Sequence, residues 1–247
     1  MSDALTMTGR CVRLSSRNLE SLIMSIALPV MLMLIFVYLF GGAIQTGTKY
    51  VTYIVPGVIL LCAGFGAAQT AVSVSQDLAG GTIDRFRSMD VGGTAVLAGH
   101  VAASVARNVV STVIVFGVAF LLGFRPTAGP VHWLFAVGIL LLFVLAISAV
   151  SATIGLVARA PEAANGFTFF VSFLPYASSA FVPVATMPVW LHGFANNQPV
   201  TPVTESLRGL LLNTPVGNHP WHAVLWCSGL LAVSVAASAV LFRRRTG

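Results

Sequence analysis

No charged side chain occurs between Glu20 and Lys49, and none between Lys49 and Asp77. The same silence returns between Arg125 and Arg159, between Glu162 and Glu205, and between Arg208 and Arg243. Intervals this long, filled with Leu, Val, Ile, Ala and Phe, cannot coat a particle in water. Only 8% of the 247 residues are charged and 57% are hydrophobic, where a soluble domain carries about 25% charged residues. The chain reads as an integral membrane protein. Backbone inside a bilayer has to satisfy its own hydrogen bonds, so the apolar runs read as helices and the fold class as all-α.

A spanning helix takes about 20 apolar residues. Six stretches meet or nearly meet that length: 21–41, 54–76, 105–123, 132–157, 165–187 and 221–242. Arg107 falls near the start of the third, and Pro175 and Pro183 lie in the fifth. The first is preceded by Arg10, Arg13 and Arg17 but followed by no small-residue cleavage site, so it reads as a retained span and not a signal peptide. The whole of 1–247 reads as a single transmembrane domain. With six spans both termini share one side. That side receives Arg10, Arg13, Arg17, Arg85, Arg87, Arg107, Arg159, Arg243, Arg244 and Arg245, and the other only Lys49, Arg125 and Arg208. Basic residues in short loops mark the cytoplasmic face, so both termini are expected there.

Three polar segments break the pattern. Arg10, Arg13 and Arg17 share one helical face and suggest an amphipathic helix lying at the membrane surface, or else a basic tail that only sets topology. Within the long loop after the second span, Thr82 suits a helix cap and Asp84 its first turn, while Ile83 and Phe86 form a small apolar face. A helix over about 80–89 would be a docking peg for a cytosolic partner; a solvated connector is the plainer reading. The opposite loop, 187–220, is rich in proline, carries Trp190 and Trp221 near its ends, and places Glu205 and Arg208 at i, i+3. It suggests one or two short helices re-entering the outer leaflet.

Catalytic signatures are not visible. The sole lysine, Lys49, follows Gly47-Thr48, out of register with a phosphate-binding loop. No H-E-x-x-H or G-x-S-x-G occurs, and Cys11, Cys62 and Cys227 are too scattered to hold a metal. No catalytic residue, metal or cofactor is expected, and the placement of the charges argues against nucleic acid. The span interiors read as free of ionisable groups, with Asp77 and Arg107 snorkelling at the ends. That disfavours a carrier with its own proton relay. Mild polar and aromatic groups, Gln69, Asn108, Phe169, Phe173 and Tyr176, are the candidates for lining a path for a greasy substrate; interhelical bonding and lipid packing are the alternatives.

Two patches then carry a resemblance. Gly81-Thr82-Ile83-Asp84-Arg85-Phe86 is similar to the G-T-[hydrophobic]-E-R-[LF] stretch of the permease subunits of type-2 ABC transporters, with Asp84 in place of the usual glutamate. Met187-Pro188-Val189-Trp190-Leu191, Gln198-Pro199-Val200-Thr201 and Glu205-Ser206-Leu207-Arg208 resemble the family's run before its last span, with Gln198 where asparagine is commoner. The chain looks most like the daunorubicin-resistance-type export permeases, over nearly its whole length. The resemblance implies a permease paired with a second copy or a paralogue, seated on two cytosolic ABC ATPase subunits that carry the ATP and Mg, in the bacterial cell membrane. Thr82, Ile83, Asp84, Arg85, Phe86 and Arg87 would form the coupling helix that contacts the ATPase. A lipophilic drug-like or lipid-like substrate would leave outward. A stand-alone secondary carrier or channel is the alternative.

Overall fold

The computed structural model describes residues 19–44, 48–80, 93–158 and 160–246. The expected surface helix around Arg10, Arg13 and Arg17 and the coupling segment Thr82–Arg87 lie outside the described residues. Among those described, the chain is helical throughout and contains no strand. Eight α-helices follow one another: α1 Leu19–Ile35, α2 Tyr50–Ala79, α3 Gly93–Leu121, α4 Pro130–Val157, α5 Pro161–Phe173, α6 Val189–Asn197, α7 Val200–Leu212 and α8 His219–Thr246. Four of them hold a stretch long and apolar enough to cross a membrane: Tyr50–Ala79, Val96–Leu121, Pro130–Val157 and His219–Leu241.

The centre of the bundle is α2. Of its most apolar window 89% is buried, against 33%, 44% and 17% for those of α3, α4 and α8. It is therefore wrapped by protein, while the other three turn broad apolar faces outward. Val109, Val113 and Leu121 on α3, Leu134 and Phe135 on α4, and Leu225 and Val233 on α8 are all exposed. Such faces suit hydrocarbon and not water. Close packing on α2 depends on small residues. A Cβ on Gly155 of α4 would stand 2.5 Å from the Ala71 carbonyl oxygen, so only glycine lets the two backbones meet there. Farther along, α4 is tied to α8 by Thr153, whose hydroxyl lies 2.8 Å from that of Ser238.

Three expectations need correction. The first span is α-helical only to Ile35 and continues as a π-helical turn, Phe36–Phe40. The third begins at Gly93, not near 105, which puts Arg107 about halfway along α3. The fifth is not one continuous helix over 165–187. It is α-helical over Pro161–Phe173, tightens into a 3-10 turn at Leu174–Ala177, and runs on without helix to a second such turn at Val184–Thr186. Pro175 lacks the N–H that would have closed onto the carbonyl four residues earlier, and its ring crowds that carbonyl. The loop 187–220 does contain two short helices, α6 and α7, and α7 packs between α4, α8 and α2.

Candidate functional site

Backbone that leaves a helix inside an apolar bundle needs hydrogen-bond partners from elsewhere. The segment from Leu174 to Phe181 finds them on three elements. Gln198, between α6 and α7, donates through Nε2 to the carbonyls of Leu174 (3.2 Å) and Ala177 (2.8 Å). From α2, the Tyr53 hydroxyl donates to the Ser179 carbonyl and the Tyr50 hydroxyl to the Phe181 carbonyl, each at 3.0 Å. The Ser179 amide donates to the Thr201 hydroxyl of α7 at 3.3 Å. Between these bonds Ala180 lies so close to α2 that a Cβ on Gly57 would stand 2.6 Å from its Cβ.

At the middle of this knot is Arg208 of α7, which is buried. Its Nε and Nη2 donate to the Tyr53 carbonyl at 3.2 and 3.1 Å, and Nη2 also donates to the Ser179 carbonyl at 2.9 Å. Its Nη1 pairs with Glu205, one turn earlier. The guanidinium carbon lies 3.6 Å from the centre of the Tyr53 ring, a cation–π contact strengthened by burial. One planar fork thus joins α2, the broken segment and α7.

A second arginine marks the middle of α2. Arg107 does not snorkel; it is buried, donating through Nη2 to the Gly66 carbonyl (2.9 Å) and the Thr70 hydroxyl (3.1 Å). The bundle interior therefore does hold an ionisable group, contrary to the sequence reading. Arginine keeps its proton, however, so Arg107 supplies a fixed cation and not a proton relay. Beside it Asn108 donates to the Ser104 carbonyl at 3.0 Å, and the Ser104 hydroxyl lies 2.8 Å from that of Ser148, which ties α3 to α4. At the far end of α2, Asp77 meets His100 of α3 at 3.0 Å. In the sequence, that pair brackets residues 81–92.

Of the five path candidates, four collect on one side of α2. Gln69 and Phe169 line a cavity of about 140 Å³ between α1, α2 and α5, together with Phe65, Asn165 and Ser172. Phe173 contacts Phe169 with ring centroids 4.7 Å apart, and Tyr176 contacts Phe173 at 5.3 Å. The aromatic row continues through Phe181 to Phe36 and Phe40 on the π-helical turn. Asn108 does not join them; it packs against Gly66 on the α3 side. Tyr50, Tyr53 and Ser179 were missed by sequence reasoning. A faint signal existed for the tyrosines, two hydroxyl-bearing rings in the first turn of an otherwise apolar helix.

The sequence pattern of the ABC-2 type transporter family matches residues 3–212. The chain belongs to that family. Within the ABC-2 family it is 31% identical, over 99% of its own length and 87% of the relative's, to the daunorubicin resistance ABC transporter permease protein DrrB1 of Streptomyces coeruleorubidus. It is 24% identical, over 99% of its length and 89% of the relative's, to the probable doxorubicin resistance ABC transporter permease protein DrrC of Mycobacterium tuberculosis, strain H37Rv. The ABC-2 chain is accordingly a membrane permease subunit, and its apolar helices are those of a membrane protein.

Proposed function

We propose that the chain is the transmembrane subunit of an ATP-driven exporter that moves a lipophilic, drug-like or lipid-like compound from the cytoplasm or inner leaflet outward. The observation that carries this reading is the likeness, over 99% of the chain, to relatives named for daunorubicin and doxorubicin resistance. ATP and Mg would be held by two cytosolic ABC ATPase subunits, met by the coupling helix at 80–89 through Thr82, Ile83, Asp84, Arg85, Phe86 and Arg87. Both termini would face the cytoplasm of a bacterial cell, with Arg10, Arg13 and Arg17 along the inner leaflet. The bundle would complete six spans as one domain, with α6 and α7 re-entering the outer leaflet. Substrate would contact the cavity of Gln69 and Phe169 and the rings of Phe173 and Tyr176. Pockets for drug-sized ligands run to about 300–1,000 Å³. A cavity of about 140 Å³ holds only part of one, in keeping with a second permease completing the site.

The decisive experiment is co-purification with a P-loop ATPase encoded beside this chain, followed by reconstitution and assay of ATP-dependent doxorubicin movement. ATP-dependent movement by the pair is expected. Movement driven by a proton gradient, with no ATPase bound, would instead establish the carrier reading. Replacing Arg85 and Phe86 together by Ala is expected to leave membrane insertion intact while stimulation of the ATPase is lost; normal export by that variant would remove the coupling assignment.

A further inference from the structure

An exporter driven from one membrane face has to move backbone near the other. Resting on the exporter reading, we propose that α2 is the rod that carries motion from its Asp77 end to the bend at 178–181, and that Arg208 is the positioning residue that makes the joint at its Tyr50 end.

Three polar joints are spaced along α2. At one end Asp77 pairs with His100, and in the middle Gly66 and Thr70 accept from Arg107. Both of these reach α3, and they lie about 16 Å apart along the helix axis. Two joints at different heights between the same two helices resist both sliding and rotation. α2 and α3 therefore move as a pair. At the other end, about 20 Å beyond Gly66, the partners change. Here α2 grips the bend and α7 through Tyr50, Tyr53 and Arg208.

The Tyr50 end is where α2 depends most on outside support. Pro56 cannot donate to the Thr52 carbonyl, which interrupts the helix's own ladder in that region. The next carbonyl, that of Tyr53, is the one Arg208 takes. Apolar packing alone would let these surfaces slip, because lipid solvates them as well as a neighbouring helix does. Directional bonds from a planar fork to two carbonyls and one carboxylate do not slip. A lysine ammonium, a point charge on a flexible stem, cannot reproduce that geometry.

The test uses the chain assembled with its ATPase in proteoliposomes, with two rates measured: permease-stimulated ATP hydrolysis and ATP-dependent doxorubicin movement. Arg208→Lys is expected to keep ATP hydrolysis within about twofold of wild type while doxorubicin movement falls about tenfold, as loss of a coupling joint requires. Tyr53→Phe, which removes one bond to the bend, is expected to show the same split at smaller size. It decides by the same criterion if Arg208→Lys does not assemble. Doxorubicin movement at the wild-type rate overturns the inference, and so does a parallel fall of both rates. A wild-type complex that neither hydrolyses ATP nor moves doxorubicin overturns the exporter reading, and the inference with it. An active wild type with no split in the variants overturns the inference alone.

Discussion

Arg107 donates to a main-chain carbonyl in the middle of another helix, and that acceptor explains how a cation persists there. A helical carbonyl keeps a second lone pair after bonding to its own ladder, so Gly66 can accept from Arg107 without breaking α2. Gly66 also has no side chain to stand in the way; a Cβ there would fall 2.2 Å from Asn108 Oδ1. Interhelical hydrogen bonds in membranes contribute about 1 kcal/mol each, and a buried charge carries its own desolvation cost. Arg107→Met is therefore expected to change unfolding free energy by no more than about 2 kcal/mol in detergent. A larger loss on denaturant titration would mean that the arginine holds the fold itself. Glycines separate sharply at this scale. Gly57→Ala drives a methyl into Ala180 and is expected to cost about 1–3 kcal/mol. Gly117→Ala and Gly138→Ala, with nothing within 4 Å of either new methyl, are expected to be neutral or stabilising by up to about 1 kcal/mol. Thermal unfolding of the three variants side by side distinguishes them.

Among the elements, the broken fifth segment shows most clearly what a sequence conceals. α2, α4 and α8 are legible because each is one apolar run without interruption, and the expected spans fall inside them. Residues 165–187 are just as apolar, and the prolines at 175 and 183 are plain to see, yet hydropathy cannot tell a kinked span from a helix that ends. The difference lies in Gln198, Tyr50, Tyr53 and Arg208, which feed hydrogen bonds to that backbone from far along the chain. α3 was misjudged for the opposite reason. Its first turns contain Gly99 and His100, which dilute the apolar signal, and the partner that lets His100 be buried is Asp77 on another helix. Starting α3 too late then made Arg107 look terminal. Gln198 offers the test of the segment. Gln198→Leu strands the Ala177 carbonyl and weakens the hold on that of Leu174, and is expected to destabilise by about 1–3 kcal/mol, the cost of one buried orphan. Gln198→Asn, shorter by one methylene, should fall between. Pro175→Ala should change stability by less than Gln198→Leu, because the bend is held from outside. Equal losses for Pro175→Ala and Gln198→Leu would show that the proline alone sets the break.

Across the whole molecule, burial separates α2 and the short α7 from a lipid-facing ring that includes α3, α4 and α8. Tryptophan fluorescence reports that arrangement. Trp221 and Trp226 both lie exposed on α8, five positions apart, which is about 7 Å along the axis. In bilayers containing depth-placed quenchers, a variant retaining only Trp221 should report a position nearer the headgroups than one retaining only Trp226, by about that distance. Equal depths would mean that α8 lies along the surface and does not cross. Trp190 on α6, also exposed, should be quenched at headgroup depth like Trp221 if α6 belongs to the interface.

The joint between Tyr53 and Arg208 spans 155 positions of the chain. During synthesis α2 enters the membrane long before the residue that clasps it has been made. An apolar rod is comfortable in lipid meanwhile, so nothing marks it as unfinished. Only when α7 arrives does the Tyr50 end acquire its cation, and Glu205 arrives with it to neutralise the charge. The joint is thus made late and at one place. Chains cut short before α7 would lack the clasp, and with it the cation at the Tyr50 end of α2.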